Sequence, residues 1–111
     1  MKRGEIYYAQ LNPTIGSEMG KLRPVLIISN DINNRVSSTI TILPITSNIS
    51  SIYPFEVMLQ PIDSGLAKPS KVQAQQIRTI SKQRIDTSVV GYLGGELMRN
   101  IEAALRLHLA L

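Results

Sequence analysis

Cysteine is absent from the 111 residues, and its absence removes structural disulfides, thiolate nucleophiles and thiolate metal sites together. There is a single histidine, His108. A Ser-His-Asp device needs an imidazole to take the serine proton, and His108 reads as the edge of an apolar helical stripe near the C-terminal end. A ribonuclease working through two histidines is excluded outright. Zinc motifs fail for want of His and Cys, and no Walker loop, GxGxxG or GxSxG sequence occurs. Asp and Glu are scattered, with no cluster suited to magnesium. No apolar run approaches the ~20 residues of a membrane span, and "MKRGEIYYAQL" turns polar too soon for the apolar centre of a secretory signal. The expectation is a soluble cytoplasmic protein with no cofactor and no membrane contact. An enzyme built on this chain works without a metal, a thiol or an imidazole.

What is present is a globular composition, 43% hydrophobic and 18% charged, and the length suits one domain spanning residues 1–111. Twelve Lys and Arg against eight Asp and Glu give a net charge of +4, which favours a polyanion over a cation as partner. "GEIYYAQL" reads as a strand ending at the Asn12-Pro13 turn pair. Pro13 to Leu22 reads as an ordered loop, with Gly16 and Gly20 at positive φ. "RPVLIIS" reads as a buried strand opened by Arg23, which either keeps an edge from pairing or aims its charge at an anion. "NDINNR" reads as a break. "SSTITILPITS" is a half-buried strand with an edge or bulge at Pro44, "FEVMLQ" is another, and Ser70 to Ile80 alternates as a single strand. "SKQR" suggests a helical turn and "IDTSVVGYL" a further strand. From Gly94 the period changes: Leu97, Ile101, Leu105 and Leu109, widened by Met98 and Ala104, form the stripe of an amphipathic helix. Five or six strands closed by one helix predict a mainly β fold, a small twisted barrel with the helix packed on it.

The ordered set "PTIGSEMGKLRPVLIIS", "LPITS", "YPFEV" and "QIRTI" resembles the MazF/PemK family of bacterial toxin endoribonucleases, relatives of Kid and CcdB. The resemblance covers nearly the whole chain, and its most specific part is G-S-E followed by R-P, an apolar strand and a later threonine. It implies an SH3-like β-barrel with a C-terminal helix, usually a homodimer, belonging to a type II toxin-antitoxin system. It also implies metal-independent cleavage of single-stranded RNA at short motifs, leaving a 2′,3′-cyclic phosphate and a 5′-hydroxyl. A cognate antitoxin with an acidic, disordered segment is the implied second partner. The family's catalytic arginine and threonine fall on Arg23 and Thr46. Its RNA-binding loop falls on Ser17 and Glu18, the glutamine of its Q-I-R-T run on Gln76, and the residue before the proline of its variable loop on Tyr53. "NISSI" and "PIDSGLAKPS" carry no pattern that transfers. The alternative is a non-catalytic toxin like CcdB, which shares the fold and poisons DNA gyrase.

The chemistry suits these residue types. Attack of a ribose 2′-hydroxyl on its own phosphate needs no external nucleophile, only an in-line strand and an offset for the charge gathering on the phosphorus oxygens. Arginine presents planar donors to two phosphate oxygens and stays charged throughout. A threonine hydroxyl on a branched stem donates in a fixed direction. Arginine is a poor base near neutrality; a carboxylate such as Glu18 is one candidate base, and slow cleavage relying mainly on positioning is the other reading. The excess of leucine in "LRLHLAL" suits self-association.

Overall fold

The apolar run Val25 to Ile28 lacks alternation because its strand is covered on both faces. In the computed structural model, which describes residues 1–111, β1 (Glu5–Gln10), β2 (Leu22–Ile27) and β3 (Thr39–Thr46) form the antiparallel centre of a seven-stranded sheet. Val25 and Ile27 enter one apolar cluster with Tyr7, Ala9, Ile40 and Ile42. Leu26 enters the other with Ile6, Leu43, Ile45 and the helix residue Ile101. Neighbouring side chains leave a strand on opposite faces, so a strand with core on both sides is apolar at every position. Each fully buried Val, Leu or Ile contributes roughly 1.5–3 kcal/mol.

The remaining strands are β4 (Glu56–Leu59), β5 (Ser70–Gln73), β6 (Arg78–Ser81) and β7 (Gly91–Tyr92). The sheet runs β4-β5-β3-β2-β1-β7, with β6 also paired to β3. β3 changes partner along its length: Thr39 to Ile42 pair with β6, and Ile45 and Thr46 pair with β5. This switch curls the sheet into a half-barrel. Helix α3 (Gly95–Leu109) packs over β4 and over the 3₁₀ turn Ala74–Gln76. The mainly β fold with a C-terminal helix expected from the sequence is thus the one found.

Several local expectations are corrected. Seven strands form, not five or six. Pro44 stands in a central strand, at neither an edge nor a bulge. It sits opposite Val25 between the β6 and β5 pairings, where the neighbouring chain turns away and asks no backbone donor of it. "NDINNR" holds helix α1 (Asp31–Val36), whose Asn30 cap accepts the Asn33 N–H at 2.8 Å; of the polar residues that suggest a break, Asn30 is the N-cap and Asp31 an acid in the first turn. The Ser70 to Ile80 run is two strands split by the 3₁₀ turn. Another short helix, α2 (Pro61–Ser64), begins on its proline and ends on Gly65 at φ 78°. Of the helical stripe, Met98, Ile101 and Ala104 are buried, Leu97 and Leu105 pack partly against the core, and Leu109 is exposed. Positive φ occurs at Gly16 and Lys21, not at Gly20.

Candidate active site

The register of the central strands places Arg23 and Thr46 together. Val25 stands opposite Pro44 in the β2–β3 ladder, and counting outward to the strand ends puts Arg23 and Thr46 at facing positions on the same side of the sheet. Thr46 in turn pairs with Lys71 on β5. A cation, a hydroxyl and a second cation thus form a row across three strands. Only two ion pairs form in the chain, Arg3 with Glu102 and Lys71 with Glu56, so the partly buried Arg23 keeps its charge unneutralised. Its Nε donates to the Gly20 carbonyl at 3.2 Å, which leaves the terminal nitrogens of the fork free. Thr46 is buried, and its Oγ1 accepts the Asn48 N–H at 3.2 Å. The hydroxyl hydrogen therefore remains available to an external acceptor.

Pro44 and Thr46 are two apart on one strand and share a face. Pro44 helps line a cavity of about 200 Å³ with Glu18, Met19, Gln75, Gln76 and Arg78. The structure thus brings Glu18 and Gln76 to one cavity, connected to Thr46 along β3 through Pro44, while Arg23 lines a separate cavity of about 210 Å³ with Tyr8, Ile45, Ser47 and Lys68. Gln76 Oε1 accepts the Met19 N–H at 3.3 Å, and Glu18 Oε1 accepts the Ile15 N–H at 2.8 Å. Ser17 is exposed on the same loop. The base of that loop is held by arginines: Arg78 Nη1 donates to the Leu11 carbonyl at 2.7 Å, and Arg84 Nη1 to the carbonyls of Gln10 at 3.1 Å and of Asn12. Lys21 donates its N–H to Asn12 Oδ1 at 3.0 Å. A Cβ on Gly20 would sit 2.5 Å from the same Oδ1, so the Asn12 side chain would have to move to admit one.

Tyr53 lies on the connection after β3, apart from this cavity. The residue is 55% exposed, its ring stacks on Phe55 with centroids 5.5 Å apart, and the Lys71 ammonium lies 5.9 Å from its centroid. Glu56 joins the two regions. Its Oε1 accepts from Lys71 Nζ at 2.9 Å and from the Tyr53 N–H at 2.9 Å, and its Oε2 accepts from Gln75 Nε2 at 2.7 Å. Burial pushes the Glu56 carboxyl up, but the Tyr53 amide, the Gln75 amide and the Lys71 ammonium together bring it below its ordinary value. Sequence reasoning missed Glu56, Lys71, Gln75 and the anchoring role of Arg78. The ion pair is diagonal across β4 and β5, where Met58 faces Lys71 and Glu56 faces Gln73, and nothing short of the register shows it. The one available signal was a lysine inside a strand-like run, where an unpaired charge is costly.

A half-barrel sheet with a terminal helix carries an arginine without an ion-pair partner and a threonine at adjacent strand ends, and no group of His, Asp and Glu side chains is placed to hold a metal ion. Residues 2–109 match the family of PemK-like, MazF-like toxins of type II toxin-antitoxin systems, and the chain belongs to that family. It is 39% identical over 116 residues to the endoribonuclease MazF9 of Mycobacterium tuberculosis, covering all of this chain and 98% of the relative. It is 42% identical over 112 residues to the endoribonuclease EndoA of Bacillus subtilis, covering all of this chain and 96% of that protein. A mycobacterial endoribonuclease solved in complex with its cognate antitoxin superposes with a TM-score of 0.82 at 27% identity, over all of this chain and 96% of that one.

Proposed function

We propose that the protein is a sequence-selective endoribonuclease that cuts single-stranded RNA without a metal ion. The ribose 2′-oxygen bonds to the adjacent phosphorus as the bond from phosphorus to the 5′-oxygen breaks, which leaves a 2′,3′-cyclic phosphate and a 5′-hydroxyl. The observation that supports this reading is a register that, continued from Val25–Pro44, sets Arg23, which forms no ion pair, opposite Thr46 at the ends of adjacent strands. Arg23 takes the phosphate oxygens on its free nitrogens, and Thr46 donates its remaining hydrogen to the same group. Glu18 lines the adjoining cavity with one carboxylate oxygen already engaged by the Ile15 amide, and its other oxygen is the candidate to accept the 2′-proton. Ser17, Glu18 and Gln76 hold a base on one side, and Tyr53 offers an exposed ring on which another stacks.

The partners proposed are an antitoxin and a second copy of the chain. An acidic, disordered antitoxin segment suits a groove centred on a free arginine in a chain of net charge +4. Self-association is supported by a groove of about 500 Å³ between β4 and α3, lined by Val57, Met58, Leu97, Ala103 and Leu107, with Leu109 and Leu111 exposed beyond it. The setting proposed is the cytoplasm.

The test is to incubate the purified protein with a long RNA in EDTA and map the ends. Cyclic phosphates at a recurring motif are expected, and Arg23→Ala lowers the rate on the order of 10²–10³-fold in a folded protein. Cleavage by Arg23→Ala at the parent rate overturns the assignment.

A further inference from the structure

One buried side chain is bonded toward both halves of the proposed RNA site. Glu56 is 6% exposed and uses its two oxygens in different directions. Through Oε1 it holds the Tyr53 N–H and the Lys71 ammonium, and Lys71 also donates to the Ser51 carbonyl at 2.7 Å. These bonds shape residues 51–53, the continuation of the segment whose Asn48 amide orients the Thr46 hydroxyl. Through Oε2 it holds Gln75 at 2.7 Å and, more loosely, Gln73 at 3.5 Å, and Gln75 is a wall of the cavity shared by Glu18 and Gln76. Since a carboxylate only accepts, the Gln75 amide must turn its nitrogen to Glu56 and its oxygen away. That oxygen is buried without a donor.

Stability alone does not account for this arrangement. A buried ion pair is typically no more stabilising than apolar side chains of the same volume, and an unmet buried acceptor costs free energy. What the pair supplies is direction, because hydrogen bonds fix orientation where apolar contacts do not. We propose that Glu56, with Lys71 as its counter-ion, is a positioning residue that sets the Tyr53–Thr46 half of the site and the Gln75–Gln76 half in one fixed relation. The inference rests on the RNA-cutting function proposed above. It makes Gln75, a wall of the cavity shared by Glu18 and Gln76 with its amide fixed by Glu56, a further positioning residue.

The experiment is a coupling analysis on the full chain. Single removal of either charge strands the other, so the variant is the pair Glu56→Gln with Lys71→Met, checked by circular dichroism and melting. A shift of about 1 Å in catalytic geometry costs on the order of 10² in rate, so a kcat loss of about that size is expected in a folded protein. Lys71→Arg, which keeps the counter-ion of Glu56, retains most of the parent kcat that the double variant loses. Tyr53→Ala weakens RNA binding in the parent and adds little in the Glu56→Gln/Lys71→Met background, because the ring is already displaced. Parent kinetics in the folded double variant, or effects of Tyr53→Ala that multiply independently, overturn the proposal. Should the pair fail to fold, titration of the parent with a 2′-deoxy-substituted oligonucleotide decides the matter by NMR. The Tyr53 backbone amide and the Gln75 side-chain amide then shift on one binding curve, and an unmoved Gln75 at saturation overturns the proposal. Arg23→Ala run in parallel separates the two failures: if it is inactive while the double variant is unchanged, only the positioning role falls.

Discussion

Gln76 accepts the backbone N–H of Met19 across 3.3 Å, tying the loop between β1 and β2 to the 3₁₀ turn between β5 and β6. Two segments far apart in sequence are joined by one neutral hydrogen bond at the cavity that also holds Glu18. Such a bond contributes about 0.5–1.5 kcal/mol net. Gln76→Leu keeps the side-chain bulk and removes the acceptor. Expected are faster hydrogen exchange at the Met19 amide and a rise in KM for RNA of roughly 3–10-fold, the kinetic equivalent of that bond. An unchanged exchange rate would show that the loop is held elsewhere.

Arg78 is the stronger anchor of that loop, because its charged Nη1 donates to the Leu11 carbonyl at 2.7 Å. Hydrogen bonds involving a charged partner contribute about 1.5–3 kcal/mol. Arg78 is part-exposed, which places the expected loss for Arg78→Met at the lower end, about 1–2 kcal/mol in urea unfolding. The same variant weakens RNA binding, since Arg78 lines the cavity.

How much of this was legible beforehand divides by physical range. β1 and β2 follow from strand-forming and apolar composition, the β3 strand from alternation and α3 from a helical period, all properties of neighbouring residues, and they stand close to where the sequence puts them. The Ser70 to Ile80 run fails for a tertiary reason. Its alternation continues through Ala74–Gln76, but the chain must turn there so that β5 and β6 can both pair with β3. The turn also explains why Gln75 and Gln76 share a cavity, when strict alternation would send them to opposite faces. Arg23 and Thr46 were found through family resemblance, and the register independently places them opposite each other. Glu56 and Lys71 needed the β4–β5 register, which no local pattern encodes. Gly20, expected at positive φ, does not adopt it, and the side chains a Cβ there would meet are those of Asn12 and Thr14.

Two glycines near α3 should respond in opposite ways. A Cβ on Gly91 would lie 2.0 Å from the Ser64 carbonyl oxygen and 2.7 Å from its carbon, so backbone must move. Gly91→Ala is expected to cost upward of about 3 kcal/mol, the range of overpacking and lost backbone pairing. Gly94 is the N-cap of α3, with φ −69° and ψ 168°, no side-chain cap and open space around its Cβ. Gly94→Asp adds an acceptor for the first-turn amides and favours the helix dipole, for a gain of about 0.5–1 kcal/mol. Thermal melts of the two variants on either side of the parent test both statements.

Thr46→Val separates the hydroxyl from the branched stem. The Asn48 amide loses its acceptor, a cost of about 1 kcal/mol, and the fold survives because valine keeps the strand preference. Cleavage falls by far more than stability if the hydroxyl donates to the phosphate, on the order of 10²-fold as for other oxyanion donors. A variant that melts slightly early and cleaves at the parent rate would remove Thr46 from the chemistry.

Acid and alkali should destabilise the protein through different residues. Glu56 is held below its ordinary value of 4.5, since the Tyr53, Gln75 and Lys71 donors outweigh the desolvation that raises it. A lowered carboxyl stabilises the fold above its unfolded pKa, and that contribution drains away as pH drops below about 4.5 towards the folded value. Tyr7 moves the other way: burial first, then its hydrogen bond to Glu5 at 2.9 Å, pushes the phenol from 10.0 to about 12. A raised pKa stabilises below the unfolded value and is lost as pH climbs from 10.0 to about 12. Unfolding free energy measured in urea is therefore expected to fall on both sides of a plateau at intermediate pH. Tyr7→Phe cannot ionise, so it flattens the alkaline limb and leaves the acid limb in place. Glu56→Gln with Lys71→Met shrinks the acid limb, to which Asp31, held low by the Arg3 amide, still contributes, and a Tyr7→Phe protein that still loses stability across that alkaline window would assign the limb to another group.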